Sequence, residues 1–371
     1  MKLAFVHDWL TGMRGGEKVL DALCERFPGA ELFTLVHVKG SVSPAIERRP
    51  IHTSFVQRLP LARRFYRQYL PFFPTAIEQF DFDRFDRVVS ISHCAAKSIV
   101  RPGRVPHLCY CLTPMRYAWD QFDQYFGPER IGRMPSAAMR RVMARMARWD
   151  RDTADRADRY VAISHHVAGR IRRYYNREAT VVYPPVDTQF FQPGPCEASD
   201  KRSGQPFALV VSALVPYKRI DLAIEACRRA RVPLTVAGDG PERARLERTA
   251  NGDVRFLGRR TDEEIRDLYR RASVLLMPGE EDFGIVPVEA QACGTPVVAL
   301  ARGGALETIV PDETGARVDE PAPDAFAAAI ARTLDHSFDR GALRAHAERF
   351  SRARFVDEMA ALIDNDGGRA R

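Results

Sequence analysis

The sequence predicts an α/β protein with two doubly wound parallel sheets. Short runs of apolar, often β-branched residues alternate with helical patterns along the whole 371-residue chain. Several of these runs are apolar throughout, as expected of strands buried on both faces of a parallel sheet. A polar, Pro- and Gly-rich stretch at 191–206 divides the chain into two similar halves. Strand–helix alternation on both sides of such a break favours two domains of this class.

The first half contains six strand candidates, separated by segments with helical periodicity. In chain order they are 3–7, 31–36, 87–92, 107–111, 160–164 and 180–183. A segment at 54–80, between the second and third of these, mixes Arg with Phe, Tyr and Leu. Two interpretations stay open for it: a helical excursion with solvated arginines, or a surface that lies against anionic lipid.

The second half contains five strand candidates and ends in a helical stretch at 342–363. The strand candidates are 207–213, 233–237, 254–257, 274–277 and 296–299. Because the break lacks an apolar period, we interpret it as the interdomain linker. The expected organisation is therefore a Rossmann-like domain at 1–195, a second one at 206–345 and a C-terminal helical segment at 346–371.

Composition restricts the class of protein more than its function. Hydrophobic residues make up 45% and charged residues 28% of the chain, which is ordinary for a globular protein. The net charge of +8 favours anionic partners without choosing among nucleotides, phosphates, acidic lipid and nucleic acid. No sequence motif of a nucleic-acid-binding module is visible, so nucleic acid is not expected as a partner.

The cysteines and the apolar segments predict the compartment. The seven cysteines include no C-x-x-C pair, so we interpret them as reduced thiols. The apolar run at the start of the chain is too short for a signal peptide, and no run approaches the ~20 apolar residues of a membrane-spanning helix. A cytoplasmic protein is expected, with peripheral contact to the inner face of the membrane as an open alternative.

The segment at 278–295, PGEEDFGIVPVEAQACGT, carries the strongest chemical signal. Glu281 and Glu289 have seven residues between them, and Pro287 suits the first turn of a helix that follows a glycine loop. Free backbone N–H groups at such a helix N-terminus are a ready site for a diphosphate. A carboxylate on either side would accept hydrogen bonds from sugar hydroxyls.

This segment resembles the E-x7-E signature of the retaining glycosyltransferases of family 4, which have the GT-B architecture. Further similar motifs occur in the family's order, at 211–221 (VSALVPYKRID), 237–241 (AGDGP), 256–258 (FLG), 292–298 (ACGTPVV) and 303–308 (GGALET). YCLTPMRYAWD at 110–120 and YPPVD at 183–187 resemble the branch of O-antigen and exopolysaccharide mannosyltransferases. The resemblance implies two Rossmann-like domains facing across a cleft, with a C-terminal helix that crosses back to the N-terminal domain.

The resemblance also implies roles for individual residues. Glu281 would hold donor-sugar hydroxyls, and Lys218, supported by Arg219, would bind the diphosphate; these three are the catalytic candidates. Glu289 would bind the ribose. The other donor-binding candidates are Gly15, Gly16, Phe283, Gly284, Ile285, Gly258 and Arg259.

Four residues are candidates for the acceptor side. His7 and Asp8 end the first strand, where doubly wound folds bind ligands. Ser164 ends a later strand, and Arg116 lies in the 110–120 motif. Plainer structural interpretations remain open, most clearly for Ser164 as a helix N-cap and for Gly15–Gly16 as an ordinary turn.

Two positions depart from the family pattern. Ala213 stands where the family often carries an arginine on the diphosphate, and Leu112 stands where many relatives carry a histidine facing the donor sugar. The expected function is transfer of a hexose, with mannose from GDP-mannose favoured, to a lipid-linked saccharide in polysaccharide or O-antigen synthesis. No cofactor and no metal are expected. Alternatives are a UDP-hexose donor and a non-catalytic relative that only binds the nucleotide-sugar.

Overall fold

A computed structural model describes residues 1–100, 105–194, 205–250 and 252–365, and these residues form two parallel sheets. The chain divides into a first unit, Met1–Pro185 with Ala353–Arg371, and a second unit, Val186–Arg352. The two-sheet α/β prediction is therefore confirmed.

The first unit contains a seven-stranded sheet. Its strands are β1 (Leu3–His7), β2 (Glu31–Thr34), β3 (Ile51–Thr53), β4 (Arg87–Ser92), β5 (His107–Cys111), β6 (Arg159–Ala162) and β7 (Ala179–Val181). They are ordered β3-β2-β1-β4-β5-β6-β7, and every pair is parallel. Strands β1, β4 and β5 are buried along their whole length, as expected of inner strands of a parallel sheet that is covered on both faces.

Helices connect and cover these strands. They are α1 (Gly15–Arg26), α2 (Pro44–Glu47), α3 (Ala62–Phe65), α4 (Phe73–Ile77), α5 (Arg116–Trp119), α6 (Phe122–Phe126), α7 (Pro128–Ile131), α8 (Arg133–Asp152) and α9 (His165–Tyr175). Short 3-10 helices occur at Phe55–Arg58, Tyr66–Phe72, Ala96–Ser98 and Ala154–Arg156.

The second unit contains a six-stranded sheet of the same design. Its strands are β8 (Ala208–Val211), β9 (Leu234–Ala237), β10 (Val254–Gly258), β11 (Val274–Met277), β12 (Val297–Leu300) and β13 (Gly315–Val318). The order is β10-β9-β8-β11-β12-β13, again parallel throughout.

The helices of the second unit follow its strands in alternation. They are α10 (Ile220–Ala230), α11 (Arg243–Thr249), α12 (Asp262–Arg271), α13 (Ile285–Ala292), α14 (Ala305–Thr308), α15 (Pro323–Asp335) and α16 (Arg340–Glu348). A 3-10 turn at Pro216–Lys218 precedes α10. The last helix of the chain is α17 (Arg352–Asn365).

The predicted strands are all present, but two strands were missed. Both missed strands, β3 and β13, lie at an edge of their sheet. Strand β3 is three residues long and half-exposed, and β13 begins with Gly315 and includes Arg317. An edge strand needs no continuous apolar run, so neither one carries the pattern that marks the buried strands.

Helix α17 returns to the first unit. The buried Arg87 guanidinium, at the start of β4, donates hydrogen bonds to the carbonyls of Leu362 and Ile363 in the last turn of α17. The Phe355 ring contacts Tyr110 of β5 edge to face, with 5.5 Å between the ring centroids. The expected return of the C-terminal helix is confirmed.

The domain limits differ from those expected at 195 and 345. The first crossing between units falls after Pro185, because Val186 pairs with Ser351 and the Phe191 ring packs on Tyr269 of the second unit. The second crossing falls after Arg352, so α16 belongs wholly to the second unit. Most of the linker predicted at 191–206 lies at 195–204, outside the described residues.

A buried ion pair joins the elements on one side of the first sheet. Lys97 and Asp150 are almost fully buried, with 3.1 Å between Lys97 Nζ and Asp150 Oδ1. The other carboxylate oxygen of Asp150 accepts hydrogen bonds from Trp119 Nε1 at 2.7 Å and from the Tyr175 hydroxyl at 2.9 Å. Four elements, the 3-10 helix after β4 and α5, α8 and α9, therefore depend on one charged pair.

Removal of the lysine charge tests this dependence. We expect Lys97→Met to reduce the free energy of unfolding by about 3–5 kcal/mol, because it leaves a buried carboxylate without its cation. Lys97→Met with Asp150→Asn should recover part of this loss, since no charge is then stranded. The chain's three tryptophans, Trp9, Trp119 and Trp149, lie in the first unit, so tryptophan fluorescence in urea reports on that unit. Equal loss in the single and double variants would contradict the electrostatic explanation.

Candidate functional site

Each sheet has one point at which the order of its strands reverses. In the first unit the reversal lies between β1 and β4, and in the second between β8 and β11. Loops that follow such neighbouring strands run to opposite faces of the sheet and leave a crevice at the carboxyl ends, where doubly wound folds bind ligands. Of the predicted site residues, His7 ends β1, and Asp8, Lys218 and Glu281 lie in the segments that follow β1, β8 and β11.

In the second unit, the reversal brings Lys218 and Glu281 together. Lys218 ends the 3-10 turn after β8, and Glu281 lies in the loop after β11. Lys218 Nζ and Glu281 Oε1 form an ion pair, and the two side chains are only 17% and 18% exposed. The two charges that the sequence placed at one site therefore meet directly, although 62 positions separate 218 from 281 in the chain.

Glycines hold the backbone of these loops in close contact. The Gly304 N–H donates to the Glu281 carbonyl at 2.8 Å, and a Cβ at Gly304 would lie 2.1 Å from the Phe283 carbonyl oxygen. A Cβ at Gly279 would lie 2.5 Å from the Tyr217 carbonyl oxygen. No side chain fits at either contact, so these glycines fix the position of Glu281 relative to the lysine loop.

Helix α13 presents the second glutamate. Gly284 precedes the helix with φ +91°, a left-handed conformation that favours glycine, and Ile285 is its first residue. Pro287 lies in the first turn, as predicted. Glu289 is 5% exposed, and its Oε2 accepts a hydrogen bond from the Tyr269 hydroxyl at 3.1 Å.

Tyr269, on α12, is a residue that the sequence did not single out. Burial raises the pKa of its phenol, helped by the charge of Glu289, so the hydroxyl stays protonated and available as a donor. Its own carbonyl accepts a hydrogen bond from the Thr295 hydroxyl. Only packing of α12 against α13 brings the tyrosine to Glu289, and no motif in the sequence marks that contact.

The remaining donor-side candidates occupy different environments. Arg219 has a left-handed φ of 51°, and its guanidinium pairs with Asp221 at 3.3 Å. The Phe283 ring is buried against Phe350, with 5.4 Å between centroids. Gly258 and Arg259 lie at the carboxyl end of the edge strand β10, two strands away from β8.

In the first unit, His7 and Gly16 lie side by side. His7 is buried at the end of β1, and its Nδ1 lies 3.0 Å from the Trp9 carbonyl oxygen. A Cβ at Gly16 would be 3.2 Å from His7 Nε2 and 2.7 Å from Leu112 Cδ1, so a larger residue here would displace the Leu112 side chain. Gly15 begins the same helix. Burial lowers the pKa of His7, which favours the neutral ring at pH 7.

Asp8 is committed to the fold. Its carboxylate is fully buried and accepts hydrogen bonds from the backbone N–H groups of residues 93–96 at 2.6–2.9 Å. The His93 ring lies 3.0 Å away. Burial alone would raise the pKa of this carboxyl, but His93 and the hydrogen bonds lower it to about 2. These contacts occupy both oxygens, so the acceptor role expected for Asp8 finds no support in its placement.

The other two acceptor-side candidates also take part in helix starts. Ser164 is the N-cap of α9, where its hydroxyl accepts from the Val167 N–H at 3.1 Å, and it is fully buried. This is the helix-cap interpretation left open by the sequence. Arg116 is the first residue of α5 and half-buried.

The described residues contain no group of three or more His, Cys, Asp or Glu side chains placed to hold a metal ion. The two aspartates at 81 and 83 lie in a surface turn, in which Asp81 Oδ1 accepts a hydrogen bond from the Asp83 N–H at 2.9 Å.

Six cysteines are buried free thiols, and burial raises the pKa of Cys24, Cys227 and Cys293 to about 12. Cys196 lies outside the described residues.

Comparison with known proteins decides the family. The family model described as Glycosyltransferase Family 4 matches residues 13–190, and that described as Glycosyl transferases group 1 matches residues 197–353. Together they cover all but the two ends of the chain and residues 191–196.

The chain belongs to glycosyltransferase family 4.

Curated relatives of this family 4 protein include two enzymes named D-inositol 3-phosphate glycosyltransferase. The one from Mycobacteroides abscessus is 30% identical over 250 residues, which are 62% of this chain and 55% of the relative. The one from Acidothermus cellulolyticus is 36% identical over 231 residues, covering 54% and 51% of the two chains. The chain thus spans about half the length of these relatives.

Solved structures agree in fold over nearly the whole chain. Anabaena Alr3699/HepE in complex with UDP superposes with a TM-score of 0.70 at 19% identity, covering 98% of this chain and all of that one. WaaG, a glycosyltransferase of lipopolysaccharide biosynthesis, gives 0.67 at 16% identity and the same coverage. At this identity the likeness concerns the fold, and it confirms the GT-B class expected for this glycosyltransferase.

The low pKa of Asp8 predicts an acid-sensitive first unit. The pKa of about 2 in the folded protein lies below the ordinary 3.8, so this group stabilises the fold above about pH 4 and its contribution is lost as the pH falls towards 2. Between pH 5.5 and 2.5 we expect a loss of about 1–2 kcal/mol from this group. Asp8→Asn should be less stable at pH 5.5 and should lose less on acidification, as measured by tryptophan fluorescence in urea.

The exposed Asp83 provides the matched control. Asp83→Asn removes a carboxylate from the surface turn, so its stability should follow the pH dependence of the unmodified protein. An Asp8→Asn variant with an unchanged pH dependence would show that Asp8 does not carry this acid sensitivity.

Proposed function

We propose that this family 4 protein is a retaining hexosyltransferase that takes its sugar from a nucleotide-sugar and needs no metal ion. The observation that carries the proposal is the Lys218–Glu281 pair at the strand reversal of the second sheet, next to the start of α13. This arrangement supplies one cation, free N–H groups of a helix N-terminus, and carboxylates for hydroxyl groups.

The ion pair supports a specific change on donor binding. The diphosphate would attract Lys218 Nζ, and the backbone N–H groups at the start of α13 would donate hydrogen bonds to its other oxygens. Glu281, released from the lysine, would accept hydrogen bonds from the sugar hydroxyls. Glu289, oriented by Tyr269, would accept the ribose hydroxyls.

The chemistry requires stabilisation of a departing anion. The bond between the anomeric carbon and the diphosphate oxygen breaks, and its electrons leave with the nucleoside diphosphate. Preorganised N–H groups and Lys218 stabilise that charge. The acceptor hydroxyl attacks from the face that the leaving group occupied, and the departing phosphate takes its proton. The product then keeps the anomeric configuration of the donor, and no enzymatic base is needed.

For the substrates we propose mannose from GDP-mannose and a lipid-linked saccharide acceptor in polysaccharide or O-antigen assembly, in the cytoplasm at the membrane surface. The support is the resemblance of residues 110–120 and 183–187 to that mannosyltransferase branch. No helix in the described part of the chain is long and apolar enough to span a bilayer.

A second donor deserves the same test. Structures of Anabaena Alr3699/HepE contain UDP and UDP-glucose, which supports a UDP-hexose as the alternative within the same reaction class.

Nucleotide binding should depend on Lys218, and the sugar on Glu281. We expect GDP, but not UDP, ADP or CMP, to raise the thermal midpoint, because a ligand of the folded state stabilises it by mass action. Lys218→Ala should weaken GDP binding about tenfold or more, the loss of one charge-assisted hydrogen bond. Glu281→Ala should leave GDP binding within threefold and abolish turnover of GDP-mannose. Calorimetry and release of GDP measure the two effects.

The exposed Glu313, in the second unit, provides the control, and Glu313→Ala should behave as the unmodified protein. A rise of the thermal midpoint with UDP alone would indicate a UDP-hexose as the donor in place of GDP-mannose, and the enzyme class would stay the same. Binding without turnover across donors and acceptors would favour the non-catalytic relative suggested by Ala213 and Leu112. Absence of any nucleotide response would contradict the proposal.

The Tyr269 hydroxyl should affect the affinity for the nucleotide ribose and not the stability of the fold. Tyr269→Phe removes only the hydrogen bond to Glu289, and we expect three- to tenfold weaker nucleotide binding at unchanged turnover under saturation. Tyr160→Phe is the matched control, since its buried hydroxyl donates to the Ala154 carbonyl at 2.8 Å in the first unit. Equal nucleotide affinity in both variants would exclude a positioning role for Tyr269.

A further inference from the structure

The segment 54–80 of the first unit forms an excursion between β3 and β4. It folds as a 3-10 helix at Phe55–Arg58, α3, a second 3-10 helix at Tyr66–Phe72, and α4. Its inward side chains join the core of the first unit; they are Val56, Tyr66, Leu70, Phe73, Ala76 and Ile77. The excursion is therefore anchored, and its outward residues keep a defined position.

Large apolar side chains point outward from this excursion. Leu61 is 71% exposed, Phe72 52% and Phe65 36%. The Tyr69 hydroxyl donates to the Pro60 carbonyl at 2.8 Å, and its ring lies 6.4 Å from that of Phe72. Tyr69 thus connects the chain next to Leu61 with Phe72, which places these two exposed side chains on one part of the surface.

Arginines flank these apolar side chains in the sequence. Residues 48–77 contain six arginines and no Asp or Glu. Arg58, Arg63, Arg64 and Arg67 are exposed, and none of them forms an ion pair within the part of the chain that the structure describes. By contrast, Arg140 on α8 pairs with Asp123 at 3.0 Å. The positive charge of the excursion is therefore not neutralised locally.

We propose that this arginine–aromatic surface, formed by Arg58, Leu61, Arg63, Arg64, Phe65, Arg67 and Phe72, docks on an anionic lipid membrane. Apolar side chains that enter the interface, beside cations that meet the phosphate groups, are the two components of peripheral membrane binding. The positive charge alone would also attract a nucleic acid. The most exposed apolar side chain of this surface, Leu61, however, has neither a charge for a phosphate nor a ring that could stack on a base. The lipid is therefore the occupant that uses every component of the surface.

The inference deepens the proposed function, since it names the surface that would bring the enzyme to a lipid-linked acceptor. Only the biological purpose of docking depends on the proposed function. Membrane binding itself requires neither the sugar donor nor the acceptor.

The test is co-sedimentation of the full chain with vesicles of 70% phosphatidylcholine and 30% phosphatidylglycerol, and with vesicles of phosphatidylcholine alone. We expect binding to the anionic vesicles, weakened at high salt, and little binding to the neutral ones. Arg63→Glu with Arg64→Glu should weaken binding at least tenfold, because each arginine near an anionic surface contributes about 1 kcal/mol. Leu61→Ser with Phe72→Ser should weaken it about as much.

Matched controls come from α8, which also exposes arginines and a large apolar side chain. Arg141→Glu with Arg145→Glu changes the charge by the same amount, and Met134→Ser removes a side chain that is 85% exposed. Both controls should bind vesicles within threefold of the unmodified protein. Equal losses in the α8 and the excursion variants would mean that total charge, and not this surface, governs binding, and would overturn the proposal.

Two further results would overturn it. One is vesicle binding unaffected by Leu61→Ser with Phe72→Ser. The other is binding of a single-stranded RNA oligonucleotide that is tighter than vesicle binding and lost in the same arginine variant.

Failure here is distinguishable from failure of the proposed function. The nucleotide response should persist in every excursion variant, because Lys218, Glu281 and Glu289 lie in the second unit and no predicted donor-binding residue lies in the excursion. Absence of vesicle binding with an intact nucleotide response would contradict the docking surface and leave the transferase proposal standing. Vesicle binding by a protein that binds no nucleotide would contradict the transferase proposal and leave the docking surface standing.

Discussion

The reversal of strand order in each parallel sheet is the constraint on which the rest of this structure depends. Parallel strands end at one edge, and the loops after β8 and β11 must diverge there because their helices lie on opposite faces. That geometry leaves backbone N–H groups and short polar loops exposed to a ligand. It also explains why Lys218 and Glu281 meet although they are remote in sequence.

The same reversal in the first sheet has a different use. There the carboxylate of Asp8 accepts hydrogen bonds from the backbone N–H groups that follow β4, and both of its oxygens are occupied by these contacts. A buried carboxylate with all its hydrogen bonds satisfied stabilises a fold, whereas a partly exposed one with a single mobile partner can exchange that partner for a ligand. By this criterion, Asp8 is a structural group, and Glu281 fits the binding site that we propose.

Charge is distributed unevenly over the molecule in a way that fits two kinds of anion. In the second unit, cationic side chains such as Arg228, Arg229 and Arg243 are paired with carboxylates on the same helix or close by. In the excursion of the first unit the arginines have no such partners among the residues that the structure describes. Cations that are paired with neighbouring carboxylates attract an anionic partner only weakly. Cations without such partners, beside exposed apolar side chains, favour binding to a phosphate-rich interface.

The sequence by itself determined the two parallel sheets and the loop and helix that carry Glu281 and Glu289, because burial on both faces and a glycine loop before a helix leave local patterns. The return of the last helix and the expected role of Lys218 were implied only by the resemblance to the family. Tertiary structure alone decided the edge strands β3 and β13, the domain limits at 185 and 352, and the pairing of Tyr269 with Glu289. It also decided that Asp8 and Ser164 serve the fold. Local patterns specify burial and backbone conformation, whereas the partner of a polar group depends on which distant elements pack against it.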